Sequence, residues 1–153
     1  MKDYLTKDIR NVAIVGHASS GKTALTEAML HSAGLTTRMG TIAEGNTKSD
    51  YRPEEIDRQC SVGTSLMAIE WQDTKLNILD TPGFTDFIGD ALSAVRVADT
   101  SLIVVDGTHG PEMGTENMWN FCEEYHIPRT FVVTGLDKEH SNYRKTFKRI
   151  KDT

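Results

Sequence analysis

The sequence predicts a three-layer α/β/α sandwich whose sheet is mostly parallel, with one antiparallel hairpin strand. Three observations carry this. Short apolar runs alternate with helix-like segments along the chain, which implies a largely parallel sheet with helices on both faces. The first run is apolar at every position and contains β-branched residues, as suits a strand buried on both faces. One pair of runs is joined by a turn too short for a crossover.

Val12-Ala13-Ile14-Val15 is that first run, and it ends in Gly16. Lys22 to Ala33 reads as a helix with Leu25, Met29 and Leu30 on one side and Gly34 as its stop. Residues 35–62 are polar and aperiodic. They are expected to be largely irregular, and mobile without a ligand. Ser65 to Trp71 and Leu76 to Leu79 read as two strands joined at Gln72-Asp73-Thr74, hence an antiparallel hairpin. Asp86 to Val97 reads as a helix, Ser101 to Val105 as a buried strand and Gly114 to Tyr125 as a helix. Thr130 to Thr134 is a further strand and Ser141 to Lys151 a closing helix. Neither an internal repeat nor a low-complexity segment interrupts this order.

The 153 residues suffice for one domain with a core. A net charge of −5 argues against a protein that coats nucleic acid, and direct DNA binding is not expected. Cys60 and Cys122 lack metal-like spacing and read as reduced thiols. Met1 to Arg10 lacks the apolar stretch of a signal peptide, and no run is long enough to span a membrane. The expected location is cytoplasmic.

Two motifs carry chemistry. Gly16-His17-Ala18-Ser19-Ser20-Gly21-Lys22-Thr23 matches G-x-x-x-x-G-K-[ST], the P-loop, and lies between a strand and a helix as that motif requires. Its glycines let successive amides face phosphates at the positive end of a helix. Lys22 is expected on the β- and γ-phosphates, and Thr23 on Mg²⁺. Asp80-Thr81-Pro82-Gly83 follows a strand. Asp80 is then a carboxylate for Mg²⁺, and Gly83 an amide for the γ-phosphate.

These motifs, with Phe84-Thr85-Asp86-Phe87, Arg10-Asn11-Val12, residues 40–50 and Ile127-Pro128-Arg129, resemble the translational GTPases, elongation factor G and its paralogues above all. The resemblance covers nearly the whole chain. It implies a P-loop NTPase fold that binds GTP or GDP with Mg²⁺ and acts on the ribosome, in translocation or recycling. Residues 1–153 would be a partial GTP-binding domain of a larger multidomain protein. Residues 38–62 would be the first switch, and 80 to about 89 the second. Ser61 stands where the family's metal-binding threonine is found.

The departures cluster. The family's water-positioning histidine is Phe84 here, and its P-loop aspartate is Ser19. Cys60 and Ala18, smaller than their counterparts, would form an apolar gate. The phosphate-binding residues are kept, with Lys22 and Gly83 left to assist catalysis. The base motif Asn-Lys-x-Asp is replaced by Thr134-Gly135-Leu136-Asp137. Asp137 can still accept from guanine, but Gly135 lacks the lysine stem that lies over the base, and Thr134 lacks the amide. Three functions stay open: a slow GTPase, a GTP-dependent ribosome-binding module without hydrolysis, and a P-loop ATPase or kinase of another family.

Other features read more plainly. The basic tail Arg144 to Lys151 fits a solvated helix whose cations complement its dipole. Trp71 and Trp119 are expected to pack, as are Met29, Met113 and Met118. His109, His126 and His140, and the pair Glu112 and Glu116, are assigned no role.

Overall fold

In the computed structural model, which describes residues 2–152, a 3-10 turn at Thr6–Asp8 leads into β1 (Ile9–Gly16), α1 (Lys22–Ser32) and α2 (Pro53–Arg58). There follow β2 (Ser65–Trp71), β3 (Thr74–Asp80), α3 (Ile88–Val97) and β4 (Thr100–Asp106). The chain closes with α4 (Met113–Glu124), β5 (Arg129–Thr134) and α5 (Tyr143–Asp152). The sheet order is β2-β3-β1-β4-β5. Every neighbouring pair is parallel except β2 with β3. This is the mostly parallel sheet with one antiparallel strand that the sequence predicts.

Alternation along the central strand β1 separates two cores. Ala13 and Val15 meet Ala91, Ala94 and Val95 of α3, Met118 and Cys122 of α4, and Ile103. Val12 and Ile14 face the other way, onto Leu30 of α1, Ile69, Ile78 and Val104. Helices thus cover both faces, and residues 12–15 of β1 are all apolar because both faces are buried there.

Several boundaries differ from the sequence reading. The hairpin turn is Gln72-Asp73 alone, both left-handed (φ 46° and 63°), while Thr74 already pairs with Trp71. A two-residue turn with positive φ at both positions matches the twist of the strands it joins. The helix expected from Asp86 begins at Ile88, after a 3-10 turn at Thr85–Phe87, and the closing helix begins at Tyr143. Met113 does not pack: it opens α4 and is largely exposed. Trp119 does pack, its ring stacked on Phe131 at 5.4 Å with the Arg129 guanidinium 3.8 Å from its centre. Trp71 is half-exposed and lines an apolar groove with Leu25 and Met29 of α1.

Ile14 is fully buried between β3 and β4, so Ile14→Ala should leave a cavity in the core next to the phosphate loop. The expected loss is about 2–5 kcal/mol of unfolding free energy, read from urea denaturation with an unchanged slope.

Candidate nucleotide-binding site

β1 carries the chain to the carboxyl edge of the sheet at Gly16, and α1 starts at Lys22. A side chain at Gly16 (φ 144°) would press into the Val104 carbonyl. Ser19 (φ 58°) and Gly21 (φ 92°) are left-handed. Such alternation turns successive amides inward to make an anion-binding concavity, here at the start of a helix. Lys22 is buried. Its Nζ donates to the carbonyls of His17 (2.8 Å) and Gly16 (3.3 Å). Burial pushes its pKa down to about 8 against the pull of Asp80 and Asp50. Gly83 lies against this loop so closely that a Cβ would overlap Lys22 Nζ and sit 2.8 Å from the Ala18 backbone.

Oxygen donors from three segments meet beside Lys22. Ser61 Oγ donates to Asp50 Oδ1 (2.6 Å) and lies 3.3 Å from Thr23 Oγ1. Ser49 Oγ makes a very short bond to Asp80 Oδ2. Asp80 is 1% exposed, and burial pushes its carboxyl up to about 6 despite hydrogen bonds from Ser49 and Thr23 and the charge of Lys22. Burial also raises Asp50, with Ser61 opposing. Asp80 Oδ1 and Asp50 Oδ2 are buried with no hydrogen-bond partner. Buried carboxylate oxygens without proton donors, next to two hydroxyls, are the hard-oxygen set that Mg²⁺ takes. The residues fit the ion. Thr23, Ser61 and Asp80 are the sequence-expected donors, and Asp50 is one that sequence reading missed.

Residues 35–62 are irregular apart from α2, and two buried glutamates fasten them. Glu27 of α1 accepts from the amides of Gly40 (3.2 Å) and Lys48 (2.5 Å). Glu55 of α2 accepts from Arg52 (3.2 Å), Val62 (3.1 Å) and Gly63 (3.4 Å). Ser65 Oγ donates to the Ser49 carbonyl at 2.6 Å. A cavity of about 190 Å³ remains over the phosphate loop, with Lys22 and Thr23 at its base and Ala18, Ile42, Cys60 and Phe84 among its walls. Phe84 is 45% exposed.

On the base side, Thr134 Oγ1 donates to the Ser20 carbonyl (2.6 Å) and lies 3.3 Å from that of Val105. It joins β5 to the phosphate loop without an amide group. Asp137 is exposed on the loop that follows. His17 links the phosphate loop to α4: its Nδ1 accepts from the Gly114 amide at 3.3 Å, and its Nε2 lies 3.6 Å from Glu112. Glu112 also caps α4, so it has a structural part that sequence reading did not assign.

A glycine-containing anion loop at the carboxyl end of the central strand opens a helix. A second loop from the adjacent parallel strand faces it with a metal-suited aspartate. Together they define a P-loop nucleotide-binding domain of GTPase type. The chain belongs to the elongation factor Tu GTP-binding domain family, which matches residues 7–153. It is 37% identical over 144 residues to an elongation factor G-like protein of Mycobacterium tuberculosis, covering 94% of this chain and 20% of that protein. It is 34% identical over 151 residues to the mitochondrial ribosome-releasing factor 2 of Drosophila melanogaster, covering 99% of this chain and 20% of that protein. The chain therefore spans about one fifth of the length of these relatives. A crystal structure of a Thermus thermophilus protein superposes with a TM-score of 0.90 at 39% identity, over 94% of this chain and 22% of that one. The translation elongation factor SelB of Methanococcus maripaludis, solved with a GTP analogue, shares the fold with a TM-score of 0.73 at 21% identity, over 99% of this chain and 27% of that one.

Because the Asp80 carboxyl is raised in the nucleotide-free fold, the folded chain holds more protons than the unfolded chain between about pH 4 and 6. This group's contribution to stability therefore falls as pH rises through that window. Asp80→Asn should stabilise the nucleotide-free chain at pH 7 by on the order of 2 kcal/mol, with little effect near pH 4. The same variant should lose Mg²⁺-dependent nucleotide affinity. Thermal melts at the two pH values and a Mg²⁺ titration check both.

Proposed function

We propose that this chain is the GTP-binding domain of an elongation-factor-G-like translation protein that acts on the ribosome, in translocation or recycling, with slow GTP hydrolysis. One juxtaposition carries the reading. The phosphate and metal cradle of Gly16, Gly21, Lys22, Thr23, Ser61 and Asp80 is complete, and Phe84 stands at the wall of the cavity above it. The names of the relatives, elongation factor G-like protein and ribosome-releasing factor, support the ribosome as partner of the intact protein. A cytoplasmic location follows from the same reading. Among the described residues no helix is long and apolar enough to cross a membrane.

In this reading the P-loop amides from His17 to Gly21 and the Lys22 ammonium hold the β- and γ-phosphates. Gly83 offers its amide to the γ-phosphate. Thr23, Ser61 and Asp80 would hold Mg²⁺, with Asp50 against Ser61 beside them. The ion would neutralise charge on the phosphate oxygens. Asp137 accepts from the guanine N1–H and exocyclic amine, and Thr134 fixes the strand end behind the base. Attack by water on the γ-phosphorus breaks its bond to the β,γ-bridging oxygen and yields GDP and inorganic phosphate. Phe84 can neither donate nor accept a hydrogen bond to orient that water. Ala18, Ile42 and Cys60 line the same cavity, as do the polar side chains of Ser19 and Gln59. The same observation supports a second reading, a ribosome-binding module that uses GTP as a conformational ligand only.

Ribosome-stimulated turnover of the intact protein should be slow, and Phe84→His should raise it by roughly 10²–10⁴-fold. Fast turnover by the unmodified protein would refute the proposal. Turnover that stays at background in both forms would favour the binding-module reading. Calorimetry with GDP and ADP should show a guanine preference that Asp137→Ala removes while phosphate-dependent binding survives. Equal affinities in the unmodified chain would overturn the assignment of Asp137.

A further inference from the structure

The loop after β5 lacks a side chain at Gly135, and the structure puts another residue over that gap. Gly135 is left-handed (φ 62°). A Cβ there would lie 3.2 Å from both Cδ and Cε of Lys138 and 3.3 Å from Asp106 Oδ2. The methylene stem of Lys138 already fills the space that a side chain at 135 would enter. Its Nζ donates to Asp106 Oδ2 at 2.7 Å. Asp106 is buried at the end of β4, in register with Thr134, and Thr134 is bonded to the phosphate loop at Ser20. The stem therefore bridges the carboxyl ends of β4 and β5, next in sequence to Asp137. That edge is the crevice where parallel α/β sheets hold their ligands.

Burial opposes ionisation of Asp106. The Lys138 ammonium and the hydroxyl and amide of Thr108 outweigh it and hold the carboxyl well below the usual range. The tether is thus an ion pair at neutral pH. A free lysine stem loses rotamer freedom when it is pressed flat against a ligand, whereas one fixed at its far end has lost much of it beforehand. The Lys138 side chain is half-exposed, and an ion pair so placed adds little to stability by itself. About half of the Lys138 side chain stays accessible to solvent.

We propose that Lys138 is a binding residue of the base site: its tethered stem forms the apolar surface on which one face of the purine ring rests, while Asp137 receives the base edge. The proposal rests on the GTP-binding reading above. A side chain at 135 would crowd the Lys138 stem, and Gly135 leaves it that room. The contact is apolar and planar, so it adds affinity for a purine base without distinguishing guanine from adenine. Discrimination stays with Asp137.

The test is binding of GDP, ADP and Mg²⁺–tripolyphosphate to the chain by calorimetry. Lys138→Ala should weaken GDP roughly tenfold, the loss expected for a few buried methylenes, and weaken ADP by a similar factor. Tripolyphosphate, which has no base, should bind as before. Lys138→Met keeps an unbranched stem and should retain most of the affinity. In the Lys138→Ala background, Gly135→Lys places a stem in the vacated space and should recover GDP binding to within about threefold of the unmodified chain, the shortfall reflecting its left-handed backbone. Lys138→Ala that binds GDP like the unmodified chain overturns the proposal. So does an equal loss of tripolyphosphate, which would mean that Lys138 serves the loop and not the base. Tripolyphosphate binding without GDP binding in the unmodified chain would refute the guanine-nucleotide reading, and this proposal with it.

Discussion

The parallel register of β1 against β3 is the constraint on which the rest of the site depends. Ile14 stands opposite Asp80, and Thr81 closes the pair by donating its amide (3.3 Å) and its hydroxyl (2.8 Å) to the Ile14 carbonyl. Both strands then release their chains at the same level of the sheet. One becomes the phosphate loop, and the other becomes the loop that carries Gly83. A slip of one residue would turn Asp80 to the opposite face and drive apolar side chains out of both cores. Register is therefore enforced by burial on two faces, and the site inherits that precision. Asp80 and Lys22, two groups that water would otherwise keep, are held in the interior within reach of each other's charge.

The irregular segment between α1 and β2 follows a different logic. It has little apolar side chain to bury, so its backbone amides are its main attachment points. Glu27 and Glu55 answer them, each nearly inaccessible to solvent and each accepting from backbone N–H groups. A carboxylate buried without partners would carry a large desolvation penalty, and several charge-assisted hydrogen bonds offset it. The segment's far side ends in Ser49, which bonds Asp80, and in Ser61, which lies against Thr23 and donates to Asp50. Anchors on the helix side and on the metal side give the segment two handles, one permanent and one dependent on charge at the site.

The fold was legible because local signals and global burial agree. Residues 12–15 of β1 and 102–105 of β4 are apolar on both faces, the glycine-containing loop has fixed spacing, and Gly34 (φ 74°) ends α1 in the left-handed form that favours glycine. The phosphate side of the site was legible for the same reason, since its residues are consecutive. Asp50 was not. It lies in a polar stretch without period, and only the folded path of the chain brings it to Ser61. Helix α2 was readable in part: Pro53 followed by Glu54 and Glu55 is a helix start, but a single turn and a half gives too little periodicity to stand out. Lys138 escaped because its contact with Gly135 depends on the left-handed turn between them, which no spacing rule encodes.

The pattern of what this chain keeps and what it changes has a physical reason. Phosphate recognition is made mostly by backbone: amides presented by left-handed residues at Ser19 and Gly21, a helix start, and glycines at 16 and 83 where any Cβ would collide. Such a site tolerates no substitution at its glycines, but it asks little of Ala18 or Ser20 beyond size. Water and base recognition are made by side chains, and side chains can be exchanged or supplied from elsewhere. Thr134 supplies with a hydroxyl a bridge to the phosphate loop, and it reaches Ser20 and Val105 from one atom. The Phe84 side chain can neither donate nor accept, and Ala18, Ile42 and Cys60 add no strong donor or acceptor to the cavity, whose polar side chains include Ser19, Gln59 and Ser61. Under the proposed function, binding and hydrolysis would draw on different parts of the site, the first on backbone geometry and the second on side chains.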